Sequence, residues 1–142
     1  LEPDLTFILN LNDKPCGYII GALDSQEFYI RCESEWFPIL RSKYKIPDEK
    51  DNSPDANIIR LIHKGHKPKP EYIDYPSHLH INLLPITQGK GLGRRMMNTF
   101  IEKLKELKSP ALHLEVGKRN TGAIAFYKKM GFHVIKDFEY SD

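Results

Sequence analysis

The chain has 142 residues, enough for one domain with one core, and a formal net charge of only +2. That balance excludes a strong nucleic-acid field, and no run of apolar residues is long enough to span a membrane or act as a signal peptide. Two cysteines, Cys16 and Cys32, lack metal-ligand spacing and read as reduced, buried thiols of an intracellular protein, cytoplasmic or nuclear.

Leu5 to Leu11 and Cys16 to Leu23 bracket the polar Asn12-Asp13-Lys14-Pro15 and predict a hairpin. Asp24, with Glu27 three residues on, predicts a helix N-cap. From Ser25 to Tyr44, Phe28, Cys32, Trp36, Ile39 and Leu40 recur at helical spacing, and Pro38 should kink or interrupt that helix. The stretch from Lys45 to Ser77 is rich in Pro, Lys and Asp. Within it Ile58 to Ile62 predicts one or two helical turns after Asp55, and Lys64 to Pro70 a loop. Neither half of the chain alone holds a complete core, so one domain over residues 1–142 is expected.

His78 to Leu84 reads as a strand. Alternation puts His78, His80 and Asn82 on one face and Leu79, Ile81 and Leu83 on the other. Gln88-Gly89-Lys90-Gly91-Leu92-Gly93 follows, and then a strong helix-forming stretch from Arg94 to Lys108. A glycine turn at a helix N-terminus offers unpaired N–H groups and about half a positive charge, which suits a phosphate. The spacing fails the P-loop, because no Lys-Ser or Lys-Thr closes the turn. It also fails G-x-G-x-x-G, because the sixth position falls on Arg94 or Met96. Lys90, Arg94 and Arg95 flank this turn, and Lys118 and Arg119 flank a second one.

That second turn, Gly117 to Gly122, follows a predicted strand from Leu112 to Val116. A helix from Ala123 to Met130 comes next, with Ala123, Phe126 and Met130 toward the sheet and Gly131 as its C-cap. Phe132 to Ile135 begins another predicted strand.

Gln88, Gly91 and Gly93 in the pattern [Q/R]-x-x-G-x-[G/A] resemble the acyl-CoA pyrophosphate loop of the GNAT superfamily of N-acetyltransferases. The later combination V-x-x-x-N-x-x-A-x-x-F-Y-x-x-x-G-F, from Val116 to Phe132, resembles that family's second cofactor-contacting segment. The resemblance implies a central mixed, mostly antiparallel sheet flanked by helices, here truncated at both ends. The family's first strand has no counterpart upstream of Leu1, and no final strand follows Asp142. An exposed sheet edge would favour a second copy or a companion chain completing the sheet.

The resemblance also implies acetyl-CoA as cofactor. Leu83 would lie on the strand that pairs with the pantetheine arm. The backbone of Gln88, Gly89, Lys90, Gly91, Leu92, Gly93 and Arg94 would hold the pyrophosphate. Asn120 would bond near the arm, and Tyr127 would sit near the sulfur and protonate the departing thiolate. An ordinary phenol titrates near about 10 and a thiol near about 8.5, so a neutral tyrosine can serve as an acid to sulfur.

His78 and His80 are the candidate bases for an unknown amine or protein acceptor. Asp74 and Glu115 are weaker alternatives, and Asn82 cannot take a proton as a carboxylate would. Gly21-Ala22-Leu23-Asp24, Glu33-Ser34-Glu35-Trp36-Phe37-Pro38 and Tyr75-Pro76-Ser77-His78-Leu79-His80 resemble one GNAT branch. This is the acetyltransferase-like domain C-terminal to the glycoside hydrolase of animal O-GlcNAcases, together with its freestanding bacterial relatives. Animal members are often regarded as pseudo-acetyltransferases with a degenerate cofactor loop, so a non-catalytic interaction module is the alternative function. Here the loop pattern is intact.

Overall fold

The structure, a computed structural model, describes residues 2–67 and 69–139. Its contacts divide the chain into two compact units, Leu1–Leu23 with Pro70–Asp142, and Asp24–Lys69.

The first unit holds a four-stranded sheet in the order β1-β2-β3-β4. Strands β1 (Thr6–Leu11) and β2 (Lys14–Ala22) form the expected hairpin. Asn12 and Asp13 turn it at φ 50° and 60°, the left-handed pair that matches strand twist. Pro15 sits opposite Asn10 beside a register shift, where a missing N–H costs the ladder little. Strand β3 (Ser77–Leu83) pairs antiparallel with β2 from Gly17↔Leu83 to Ala22↔His78. Strand β4 (Leu112–His113) pairs with β3 in parallel at two positions only.

Helix α4 (Leu92–Glu106) follows β3 and covers one sheet face. It buries Met96, Met97, Phe100 and Leu104 against Leu5, Ile19 and Leu79, with Phe7 edge-on to Phe100 at 6.4 Å. Gly21 lets the Phe100 ring approach β2, since a Cβ there would collide with it and with the His78 carbonyl. Alternation along β3 holds as expected. Leu79, Ile81 and Leu83 join this core, while His80 and Asn82 are exposed on the other face. Thr6, Ile8 and Ile20 are exposed there too. Ser77, fully buried, hydrogen-bonds the Leu23 carbonyl at 2.6 Å and Ser109 at 2.7 Å.

Helix α5 (Thr121–Lys129) packs Phe126, Tyr127 and Met130 against the same core. Gly131 ends it at φ 93°, and the Phe132 N–H donates back to the Tyr127 carbonyl at 3.1 Å. The strand expected from Leu112 to Val116 stops at His113. The strand expected from Phe132 onward is not formed, because residues 132–138 find no ladder partner among the described residues. The β propensity of Val134 and Ile135 cannot make a strand without one.

The second unit contains α1 (Ser25–Arg31), α2 (Phe37–Lys43) and α3 (Pro54–Lys64). Asp24 caps α1 by accepting from the Glu27 N–H at 3.0 Å, as its spacing predicts. Pro38 interrupts the helix as expected. Cys32–Trp36 widens into a π turn in which the Phe37 N–H donates to the Cys32 carbonyl, five residues back. Helix α3 is longer than the one or two turns expected. Ser53 caps it through the Ala56 N–H at 3.2 Å and Pro54 starts it, a pair of signals outside the Ile58–Ile62 apolar run. Arg41 ties the unit together, bidentate to Glu33 at 2.8 and 3.0 Å and donating from Nε to the Ile62 carbonyl at 2.9 Å. Of the predicted loop 64–70, Pro68 lies outside the described residues. Both cysteines are buried free thiols, and burial raises the Cys32 thiol.

Candidate functional site

The site is built from two strand–turn–helix passages of the first unit. Strand β3 runs on to Leu83, but β4 leaves it after His113. The edge of β3 from Leu79 to Leu83 therefore has no ladder partner on that side among the described residues. Extended backbone with unpaired N–H and C=O groups is a template for another extended chain.

The turn after β3 is anchored before it opens. The Leu84 N–H donates to the Cys16 carbonyl at 2.9 Å. Thr87, buried, donates its hydroxyl to the Leu84 carbonyl at 2.6 Å. Gln88 to Gly91 are then exposed. Gly89 and Gly91 lie at φ 71° and 72°, the left-handed region where other residues are strained, and a Cβ on either would meet nothing within 4 Å.

Gly91 is the N-cap of α4, and no side chain caps it. The Arg95 N–H donates to the Gly91 carbonyl at 3.1 Å, so the N–H groups of Leu92, Gly93 and Arg94 precede the first i→i−4 bond. Gly93 does a different job. A Cβ there would come within 3.2 Å of Leu83 and 3.5 Å of Phe126, so its absence lets the α4 terminus approach both β3 and α5. Lys90, Arg94 and Arg95 are exposed, and no carboxylate pairs with them among the described residues. Lys118 lies 3.7 Å from Asp137.

Asn120 is the N-cap of α5, its Oδ1 accepting from the Ala123 N–H at 3.1 Å. Its amide nitrogen is left for another partner. Tyr127 packs between Phe126 and Phe132 at 5.4 and 5.8 Å and lines a cavity of about 460 Å³ beside β4. No group among the described residues holds its hydroxyl. Burial raises the Tyr127 phenol above its ordinary 10.0, which keeps it protonated.

The histidines lie on the opposite sheet face. His78 is half-buried, 5.9 Å from the His113 ring. His80 is exposed, with Asn82 Nδ2 at 3.1 Å from its Nε2. Asp74 is exposed in the turn before β3, and Glu115 accepts from the Tyr72 hydroxyl at 2.8 Å, a structural use. Residues 83, 88–94, 120 and 127 thus come from passages that meet around the Leu83–Gly93–Phe126 contact, whereas His78 and His80 face away from the α4 core. Sequence reasoning missed Tyr18, whose hydroxyl lies 3.0 Å from Asn82 Nδ2. Its signal was the cross-strand pairing of Tyr18 with Asn82, which appears only once the register is known.

Comparison with known proteins decides the family. Residues 67–132 match the model of the acetyltransferase (GNAT) family. The crystal structure of SsHAT agrees with a TM-score of 0.86 and 39% sequence identity, covering 96% of this chain and 69% of that one. The chain belongs to the GNAT acetyltransferase family.

Rat and mouse Protein O-GlcNAcase are each 27% identical to it over 142 residues, 98% of this chain but 16% of theirs. The chain therefore corresponds to a small part of those relatives. The spermine/spermidine N(1)-acetyltransferase of Bacillus subtilis (strain 168) is 34% identical over 55 residues, 38% of this chain and 36% of that protein. GNAT proteins use acetyl-CoA, and the residues present fit it. An anion can be received at the uncapped α4 terminus and an extended amide-bearing arm at the open edge of β3. Among the described residues no helix is long and apolar enough to cross a membrane, and no cluster of His, Cys, Asp or Glu could hold a metal.

Proposed function

We propose that residues 1–142 form one GNAT domain that binds acetyl-CoA and transfers its acetyl group to an amine by direct attack, with no covalent enzyme intermediate. The observation that carries this reading is the uncapped N-terminus of α4 at Gly91, placed at the end of a strand whose outer edge is open.

Acetyl-CoA would supply an activated acetyl thioester. The backbone of Gln88, Gly89, Lys90, Gly91, Leu92, Gly93 and Arg94 would bind the pyrophosphate, with charge added by Lys90 and Arg94. Leu83 would hydrogen-bond the pantetheine arm through its backbone, and the Asn120 amide nitrogen would donate beside it. Tyr127 keeps its proton because it is buried, and would hold it for the leaving sulfur. His78 and His80 would lie on the acceptor side, the sheet face away from α4.

The acceptor is an amine. One relative is named for spermine and spermidine, which supports an amine but does not fix which one. No role in nucleic-acid binding or at a membrane is proposed, and the far side of β4, the last strand of the sheet among the described residues, is a place where a second copy or companion chain could complete the sheet. The glycosidase activity that names the rodent relatives is not proposed for this domain.

Calorimetric titration of acetyl-CoA, followed by CoA release over a panel of amines and peptides, tests the reading. Saturable binding with turnover on at least one amine is expected. No binding would overturn it, and binding without turnover on any acceptor would replace it with the interaction-module alternative.

A further inference from the structure

Tyr18 on β2 and Asn82 on β3 are cross-strand partners, and His80 lies two residues back on β3. All three are on the sheet face away from α4. The Asn82 amide nitrogen reaches both neighbours, Tyr18 Oη at 3.0 Å and His80 Nε2 at 3.1 Å. The Tyr18 and His80 rings lie 6.0 Å apart. An amide nitrogen has two N–H donors and no lone pair to offer. Asn82 therefore donates to both, and both neighbours accept. For His80 this has a definite consequence: with the Nε2 lone pair engaged, a neutral ring carries its proton on Nδ1. For Tyr18, the oxygen accepts and the hydroxyl proton is left to donate outward.

We propose that Asn82 is a positioning residue that holds His80 as the Nδ1–H tautomer, so that this cluster on the acceptor face offers two donors, His80 Nδ1–H and Tyr18 O–H, and His80 does not act as a base. Two donors suit an oxygen, either one carried by the acceptor or the one on which negative charge develops in acyl transfer. The amine then enters neutral; as its N–C bond forms and the C–S bond breaks, the departing sulfur takes the Tyr127 proton, the amine's proton passes to water, and water returns a proton to Tyr127. The catalytic meaning rests on the acetyl-transfer reading; the tautomer does not.

The tautomer is read directly from long-range ¹H–¹⁵N spectra of the full chain without acetyl-CoA, at a pH where the ring is neutral. His80 is assigned with His80→Gln. The wild type is expected to show Nδ1 protonated. Asn82→Asp should invert the pattern, because a carboxylate accepts from Nε2–H, and Asn82→Ala should lose the preference. An Nε2–H tautomer in the wild type, or an unchanged preference in Asn82→Ala, would overturn the proposal.

Kinetics gives a second readout. Asn82→Asp frees Nδ1 as a base and removes the donor, so kcat should fall about tenfold, while Tyr18→Phe should lower it less. A faster Asn82→Asp would show that His80 acts as a base and defeat the proposal. Acetyl-CoA affinity measured on the same samples keeps the two readings apart: loss of binding in the wild type would sink acetyl transfer without touching the tautomer.

Discussion

The two strand-to-helix turns of this domain end differently. After β4, the N-terminus of α5 is closed by its own sequence: Asn120 accepts from the Ala123 N–H. After β3, the N-terminus of α4 is left uncapped. Gly91 has no side chain to cap it, Gly89 and Gly91 hold the turn in left-handed backbone, and the space a Cβ would occupy at each is empty. A glycine N-cap in place of a capping side chain gives up only about a few tenths of a kcal/mol of stability and leaves the N–H groups free for a ligand. The same fold therefore carries one terminus built for stability and one built to receive an anion.

The largest effect that could break this contrast is at Gly91. Gly91→Trp places an indole in the empty cradle and should weaken acetyl-CoA binding at least about 100-fold, or about 3 kcal/mol. Its left-handed φ adds roughly 1–2 kcal/mol of strain, so thermal unfolding of the variant is measured beside the calorimetry. Folded protein with unchanged affinity would remove the loop from the site.

Next is Tyr127→Phe, which should lower kcat about 10²-fold with little change in acetyl-CoA affinity. Its pH dependence has a definite sign. Burial raises the folded phenol above 10.0, so the fold favours the neutral form. That stabilisation is fully present below the ordinary phenol value and is lost as pH rises through the higher folded one. Alkaline denaturation of the wild type should show this loss, and Tyr127→Phe should not.

Asn120→Ala tests the closed terminus. It should cost about 1 kcal/mol of stability and change acetyl-CoA affinity less than about tenfold, the reverse of the Gly91 outcome. Equal damage to binding from both variants would erase the distinction.

The smallest effect belongs to a control away from both termini. The hydrogen bonds from Arg41 hold the Glu33 carboxyl below its usual 4.5, so the pair stabilises above that value and is lost as pH falls through the lowered one. Glu33→Gln should cost under about 1 kcal/mol at neutral pH, because both side chains are partly exposed, and should leave binding alone.

Much of this was legible in the residues. Asn12-Asp13 gave the hairpin, Asp24 the cap, Gly131 the helix end, and the alternation of His78 to Leu83 the two faces of β3. Each is a local rule, satisfied within a few residues. The failures are non-local. Whether Leu114 to Val116 continues a strand depends on the chain staying beside β3, which it leaves after His113, and whether Val134 forms one depends on a neighbour; neither is written in those segments. The loop glycines were legible as a group but not in their division of labour. Gly91 is defined by its own φ, whereas Gly93 is defined by Leu83 and Phe126, residues 10 and 33 positions away in sequence. The Tyr18–Asn82–His80 cluster needed the register of β2 on β3.

The central claim is that the α4 terminus is open to an anion and the α5 terminus is not. Titrating ¹⁵N-labelled protein with acetyl-CoA and following backbone amides tests it at both places at once. The largest shifts are expected at Gly89, Gly91, Leu92, Gly93 and Arg94, with Ala123 and Ile124 nearly still. Shifts centred on residues 121–124, or none at the glycine turn under saturating acetyl-CoA, would contradict it.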